Sequence, residues 1–402
     1  MLNSQIQGLG PYASKAIARS VEGSADVVSL SIGEPEFGPP PAAAARLEEV
    51  VRATTFIQSA KRYEESLGSP SLRALISEYH RRHGGLAVSE GTEVLVTPGG
   101  AGALTAAILA TTRPGDGVLI GDPSYMLYER LVTVLGRVPR RVVRRASEGF
   151  RYDLDRARAA IDPGTTAMIV NSPENPTGYV CPDQEMAALV ELCRGRGMTL
   201  IHDEVYDQLC FDRPHRPAAS FGGLANVVQI NSMSKKFGVP GLRLGWLVSS
   251  EETVAVAARA QDYTTLAVGR FAERAGEALL ECPGLDEWFA EVRRMVKERL
   301  SLVASRLSAV PGIELPSAIS GGMFAFPTVA ALAHRLGLQS PGGTGAAVAQ
   351  WLMARARVAV VPGGVYGRQG EDSVRLVVCG REEDLHRALA RIEGASTQAR
   401  GD

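Results

Sequence analysis

Lysine is scarce in this chain of 402 residues: it stands only at Lys15, Lys61, Lys235, Lys236 and Lys297, and every other cation is an arginine. Chemistry that needs a free amine therefore has few candidates. Cysteine is sparse too. Cys181, Cys193, Cys210, Cys282 and Cys379 are odd in number, widely scattered and without a C-x-x-C pair. That excludes a disulfide framework and leaves reduced, mostly buried thiols. The six histidines show no metal-ligand spacing; His80 and His83, beside Arg81 and Arg82, read as part of a solvated helix face, and no metal centre is expected. No charge of one sign dominates, with 43 Lys+Arg against 44 Asp+Glu. The expected partners thus include neither nucleic acid nor a membrane surface. No apolar run reaches spanning length. The opening MLNSQIQGLGPYASKA has neither the apolar core nor the cleavage site of a secretory signal, so a cytoplasmic protein is expected.

What the chain does have is alternation. Apolar runs at residues 92–97, 118–122, 167–171, 199–203, 227–231 and 244–249 read as strands, and 101–112 reads as a helix that stops before Arg113-Pro114-Gly115. Near-continuous apolar strands suit burial on both faces, so a mostly parallel sheet covered by helices is predicted: an α/β fold. Residues 285–310 read as one long amphipathic helix leading to a second region with strands at 322–326 and 374–378 and helices at 345–356 and 382–392. In such sheets ligands gather beyond the C-terminal strand ends. Here those ends carry Thr97, Asp122, Asn171, Asp203 and Ser232.

The strongest motif is SMSKKFGVPGLRLGW at residues 232–246, which sets Lys235 among Ser232 and Ser234 with Arg243 eight residues on. An amine beside hydroxyls and a guanidinium suits a carbonyl compound bearing a phosphate dianion. A serine–lysine hydrolase dyad is the rival reading of that pair. Gly99-Gly100-Ala101-Gly102 closes a strand and opens a helix, an N-terminus fit for phosphate. It is not a dinucleotide fingerprint, because position 105 is threonine. Asn175-Pro176-Thr177-Gly178 is a turn, Asp203-Glu204-Val205-Tyr206 ends a strand, and Tyr63, Tyr125, Gly33 and Arg375 stand in further short motifs. Each is weak alone.

In this order they resemble the class I/II aminotransferases, fold type I of the enzymes that use pyridoxal 5'-phosphate (PLP), in the aspartate aminotransferase superfamily. The resemblance runs from about Leu30 to Arg375. It implies a three-layer α-β-α large domain plus a smaller α+β domain built from both chain ends, divided as 1–40, 41–290 and 291–402. It implies that Lys235, rather than Lys236, carries the cofactor and moves the substrate α-proton. Asp203 would face the pyridine nitrogen, and Tyr206 and Asn175 the phenolic oxygen. Gly100, Ala101, Ser232, Ser234 and Arg243 would hold the phosphate, joined by Tyr63 of a neighbouring subunit, so that a homodimer shares its sites. Tyr125 would stack on the ring. Arg375, Gly33 and Asn175 would bind the substrate carboxylate. The activity implied is ping-pong transfer of an α-amino group between an amino acid and a 2-oxo acid.

Two departures from the family pattern stand out: Ser172-Pro173-Glu174 before Asn175, and Glu64-Glu65 after Tyr63. Two carboxylates beside a site tyrosine suit a cationic or sulfonium side chain. The same scaffold also supports elimination, γ-replacement, cyclisation and oxidation. Side-chain selectivity is expected from a pocket drawing on Tyr12, Phe37, Glu64 and Tyr263. A transcription-regulator role is disfavoured by the near-neutral charge and by motifs that begin near residue 30.

Overall fold

The computed structural model describes residues 2–24, 26–53, 61, 63–316 and 319–398. Its strands in chain order are β1 (Val28–Ser29), β2 (Val94–Thr97), β3 (Gly117–Asp122), β4 (Val138–Val143), β5 (Thr165–Asn171), β6 (Thr199–Asp203), β7 (Val227–Ser232), β8 (Gly245–Val248), β9 (Phe324–Ala325), β10 (Val358–Ala359), β11 (Val361–Pro362) and β12 (Val374–Val377). Seven of them form one sheet in the order β2-β8-β7-β6-β5-β3-β4. Every pairing from β7 through to β4 is parallel, and β8 alone runs against its neighbours.

Alternation of side chains explains why the strands read as unbroken apolar runs. Ile169, Ile201 and Val228 pack on one face against the helix Gly99–Thr111. Met168, Val170, Leu200 and Val227 pack on the other against the helix Asp183–Gly195. Each fully buried side chain of this kind contributes roughly 1.5–3 kcal/mol. Three layers result.

A second core lies apart. β1 pairs parallel with β10, and β12 sits between β11 and β9 in an antiparallel ribbon. The smaller unit therefore joins the N-terminal segment to the C-terminal third. The helix Leu285–Ser308 bridges the two cores: Leu285 and Phe289 belong to the sheet side, and Val292, Val296, Leu300, Val303 and Leu307 to the other.

One sequence expectation fails on the helix Pro70–Gly84. His80 is buried, at 3% exposure, and accepts a hydrogen bond from Trp246 Nε1 at 2.9 Å; the His83 side chain is only 16% exposed. The reason is register. Leu72, Ile76, Tyr79 and His80 follow the helical period, so both histidines share the inward stripe while Arg81 and Arg82 point out. All five cysteines are free and buried.

Candidate active site

The parallel strands deliver their C-terminal residues to one edge of the sheet, and β8 begins at that edge. Gly245 pairs with both Thr97 and Ser232, so Arg243 arrives there as the chain turns back. Arg243 adopts left-handed backbone angles (φ 55°, ψ 46°), which folds its guanidinium over the start of the helix Gly99–Thr111. Gly99 makes room for it: a Cβ there would lie 2.7 Å from Arg243 Nη2, and the residue's φ is +74°. Between β7 and Arg243 lies one helical turn, Met233–Lys236, capped by the Ser232 hydroxyl, which accepts from Ser234 N at 3.1 Å.

This turn sends its two lysines in different directions. Lys236 is fully buried and donates to Asp207 and to the Tyr79 hydroxyl, each at 2.8 Å. Lys235 points into a cavity of about 680 Å³ and donates to the Gly33 carbonyl at 2.7 Å. Burial pushes the Lys235 amine below the usual lysine range, and the Arg375 and Arg243 charges push it the same way.

Gly33, Gly100, Ala101, Tyr125, Asn175, Asp203, Tyr206, Ser232, Ser234, Lys235, Arg243 and Arg375 all line this one cavity. Tyr63 does not; its side chain is 86% exposed. Asp203 accepts a 2.6 Å hydrogen bond from the Tyr128 hydroxyl, and burial pushes its carboxyl up to about 6. Tyr125 meets the Tyr12 hydroxyl, and Asn171 anchors the following turn by accepting from Asn175 N at 2.8 Å. Arg375 donates to Asn175 Oδ1 at 3.1 Å and to the Ser31 carbonyl, with its guanidinium 4.9 Å from the Phe324 ring.

Tyr12, Tyr128 and Ser31 were not singled out for these contacts by sequence, although Tyr128 stands only three residues after Tyr125. Of the other selectivity candidates, Phe37 packs on Trp288, Tyr263 is 93% exposed, and Glu64 is held by Arg270 at 3.1 Å. Glu65 faces Arg73 at 3.8 Å. The two carboxylates after Tyr63 are thus engaged by arginines of their own chain.

The cavity's charge is unbalanced. Lys15, Lys235, Arg243 and Arg375 line it against Glu34 and Asp203, and among the described residues no ion pair joins any of these six. Arg375 Nε is buried without a partner among the described residues. A site with surplus cations, a helix N-terminus and paired hydroxyls fits a small ligand carrying phosphate and carboxylate groups. Behind it, Glu204 sits among His215 at 2.8 Å, His202 at 3.5 Å and Gln229 at 3.0 Å. His202, Glu204 and His215 come close enough to form a metal-type cluster that no sequence spacing showed. Contacts with Cys210 and with the Glu204 carboxylate push His215 up to about 10, against its burial, whereas burial pushes His202 down to about 4.

Fold and cavity together define an α/β protein with a cation-lined ligand site at its strand ends. The family model described as aminotransferase class I and II matches residues 25–392. The chain is 32% identical to the arginine–pyruvate transaminase AruH of Pseudomonas aeruginosa, covering 94% of this chain and 92% of the relative. It is 29% identical to an aspartate aminotransferase of Pyrococcus horikoshii, covering 92% and 90%. The solved structure of Thermus thermophilus aspartate aminotransferase with maleate superposes with a TM-score of 0.87 at 28% identity, covering 98% and 99%. The chain belongs to the class I and II aminotransferases, and it is a transaminase. Among the described residues no helix is long and apolar enough to cross a membrane.

Proposed function

We propose that this transaminase binds PLP in the 680 Å³ cavity and passes an α-amino group from an amino acid to a 2-oxo acid in a ping-pong cycle. The observation that carries the reading is the convergence, on one cavity, of the Lys235 amine, the Asp203 carboxyl, the Ser232–Ser234 hydroxyls beside Arg243, and Arg375. When bound, PLP supplies the carbonyl carbon that takes the amino group and an electron-withdrawing ring.

The protein's own residues do the rest. Lys235 would hold the cofactor covalently, and its freed Nζ would take the substrate α-proton and return a proton. Burial keeps this amine below the ordinary lysine range, which favours its neutral, proton-accepting form. Asp203 gains a cationic partner in the ring nitrogen, which offsets the burial that otherwise favours its neutral form. Tyr206 and Asn175 would serve the phenolic oxygen, and Tyr125 would hold the ring. Gly100 and Ala101 offer helix-start N–H groups to the phosphate alongside Ser232, Ser234 and Arg243. Arg375 clamps the α-carboxylate with Gly33 and Asn175.

Tyr63 reaches the phosphate of a second copy, which makes the working unit a homodimer of soluble, cytoplasmic chains. The division 1–40, 41–290 and 291–402 is part of this proposal, supported by the helix Leu285–Ser308 passing from one core to the other after Phe289. The relatives' names point to arginine, pyruvate and aspartate as first substrates to try. Recognition of a cationic side chain by Glu64 is disfavoured, since Arg270 already pairs with it.

Purified protein is expected to absorb in the visible range, to lose that band on borohydride reduction, and then to carry the added mass on the peptide containing Lys235. An amino-acid panel should convert the band to that of the aminated cofactor, with release of a 2-oxo acid. A band that survives Lys235→Ala, or release of ammonia in place of cofactor amination, would overturn the reading.

A further inference from the structure

The chemistry above gives Arg144 no task, yet Arg144 and Glu174 are both wholly buried and form an ion pair. Arg144 directly follows β4. Its Nε donates to the Phe150 carbonyl at 2.7 Å, and its Nη1 donates to the Pro123 carbonyl at 3.2 Å as well as to Glu174 Oε1. The guanidinium lies 4.1 Å from the Tyr152 ring centre and 5.4 Å from that of Tyr179. The other oxygen of Glu174 accepts from the Thr177 hydroxyl, and its backbone N–H donates to the Tyr179 carbonyl at 3.0 Å.

Position gives these contacts their meaning. Pro123 lies two residues before Tyr125, and Glu174 lies one before Asn175. A single guanidinium thus ties together the two loops that carry those side chains to the cavity. Stability alone does not account for the pair. Buried ion pairs gain little over well-packed apolar residues of the same volume. Arg144 Nη2 is moreover left without a partner among the described residues. What the pair provides is direction: a planar fork whose Nη1 is shared between the two loops while Nε is held by the Phe150 carbonyl.

We propose that Arg144 is a positioning residue that, through Glu174 and the Pro123 carbonyl, sets Asn175 and Tyr125 in place around the bound cofactor. This rests on the PLP reading above. It also gives a role to Glu174, two residues after Ser172, where the family more often has asparagine.

The test uses the holoenzyme and follows the pH midpoint of the visible band of the lysine-linked cofactor. An Asn175 amide that donates to the phenolic oxygen stabilises negative charge there, so its displacement raises the midpoint, by about one unit. Arg144→Met is the direct variant but strands the Glu174 charge. The double variant Arg144→Met/Glu174→Met removes both charges and is expected to melt near the parent. Its midpoint should nevertheless rise and its kcat should fall roughly ten- to a hundredfold with little change in KM. Thr177→Val, which frees one oxygen of Glu174 and leaves the ion pair intact, should shift the midpoint in the same direction by less. Arg144→Lys, which keeps charge without the fork, should recover part of what Arg144→Met loses. A folded double variant or a Thr177→Val variant with the parental midpoint and kcat would overturn the proposal and leave the PLP reading untouched. A parent protein without the band would overturn both.

Discussion

At the scale of single residues, Asp203 shows how burial and function pull against each other. Its carboxyl is buried and rises from an ordinary 3.8 to about 6, even though Tyr128 donates to it. In the cofactor-free protein the folded state therefore keeps a proton that the unfolded chain releases between those two values. Stability of the empty protein should fall as pH rises through that window and level off above it. Asp203→Asn has no proton to keep, so the Asp203 share of the slope should vanish while that of groups such as Glu273 stays, and the empty variant should melt higher than the parent at pH 7. Its holoenzyme should lose most activity, because an amide cannot balance a protonated ring nitrogen. Melting curves of empty parent and variant from pH 4 to 7 measure the first effect. That Lys235 and not Lys236 faces the cavity was legible at this scale, since the offsets to Ser232 and Arg243 single it out. What Lys236 does was not: its partners Asp207 and Tyr79 lie far away along the chain.

At the scale of elements, the apolar strands of the central sheet were readable because burial on both faces leaves an unbroken signal. β4 escaped notice for the opposite reason. Its sequence VPRRVV is an edge strand with half-exposed arginines, and nothing in it advertises a core. The reversed direction of β8 was equally hidden, because a period of two reads the same both ways. The Glu204–His215 pair joins residues eleven apart through a loop whose path no local pattern sets. His215→Ala should leave Glu204 charged and buried, at a cost of about 3–5 kcal/mol that urea titration would register. Gly99 belongs to an element-scale feature that sequence did reveal, a glycine-rich stretch opening a helix after a strand. Gly99→Ala places a methyl group on the Arg243 fork and forces φ +74° on an L residue. It should weaken PLP binding about ten- to a hundredfold, as expected for a lost hydrogen bond to a charged group. Dialysis against graded PLP with absorbance readout would show this, and an unchanged affinity would mean that Arg243 does not hold the phosphate.

At the scale of the whole molecule, Tyr63, proposed above to serve a second copy, lies outside its own chain's cavity. Tyr63 is 86% exposed, on a segment that is otherwise fastened down. Glu64 pairs with Arg270, Ser66 donates to Asp262, and Gln261 Nε2 donates to the Ser66 carbonyl at 3.0 Å. The same fastening brings the helix Glu251–Thr264 alongside, where Tyr263 is 93% exposed and Leu266, just beyond it, 50%. An ordered segment presenting bare aromatic and aliphatic side chains is a surface that a second copy would cover. If Tyr63 works on the partner's cofactor, defects at Lys235 and at Tyr63 should complement each other. Lys235→Ala and Tyr63→Ala homodimers would each be deficient at both sites. After subunit exchange, every mixed dimer would hold one doubly altered site and one site with both native residues. Equal mixing makes half the dimers mixed, so activity should climb towards about a quarter of the parental value. Native mass spectrometry would count the mixed dimers while turnover is followed. Exchange that goes to completion with no gain over the sum of the two parents would place Tyr63 and Lys235 in the same subunit's site, or Tyr63 in none.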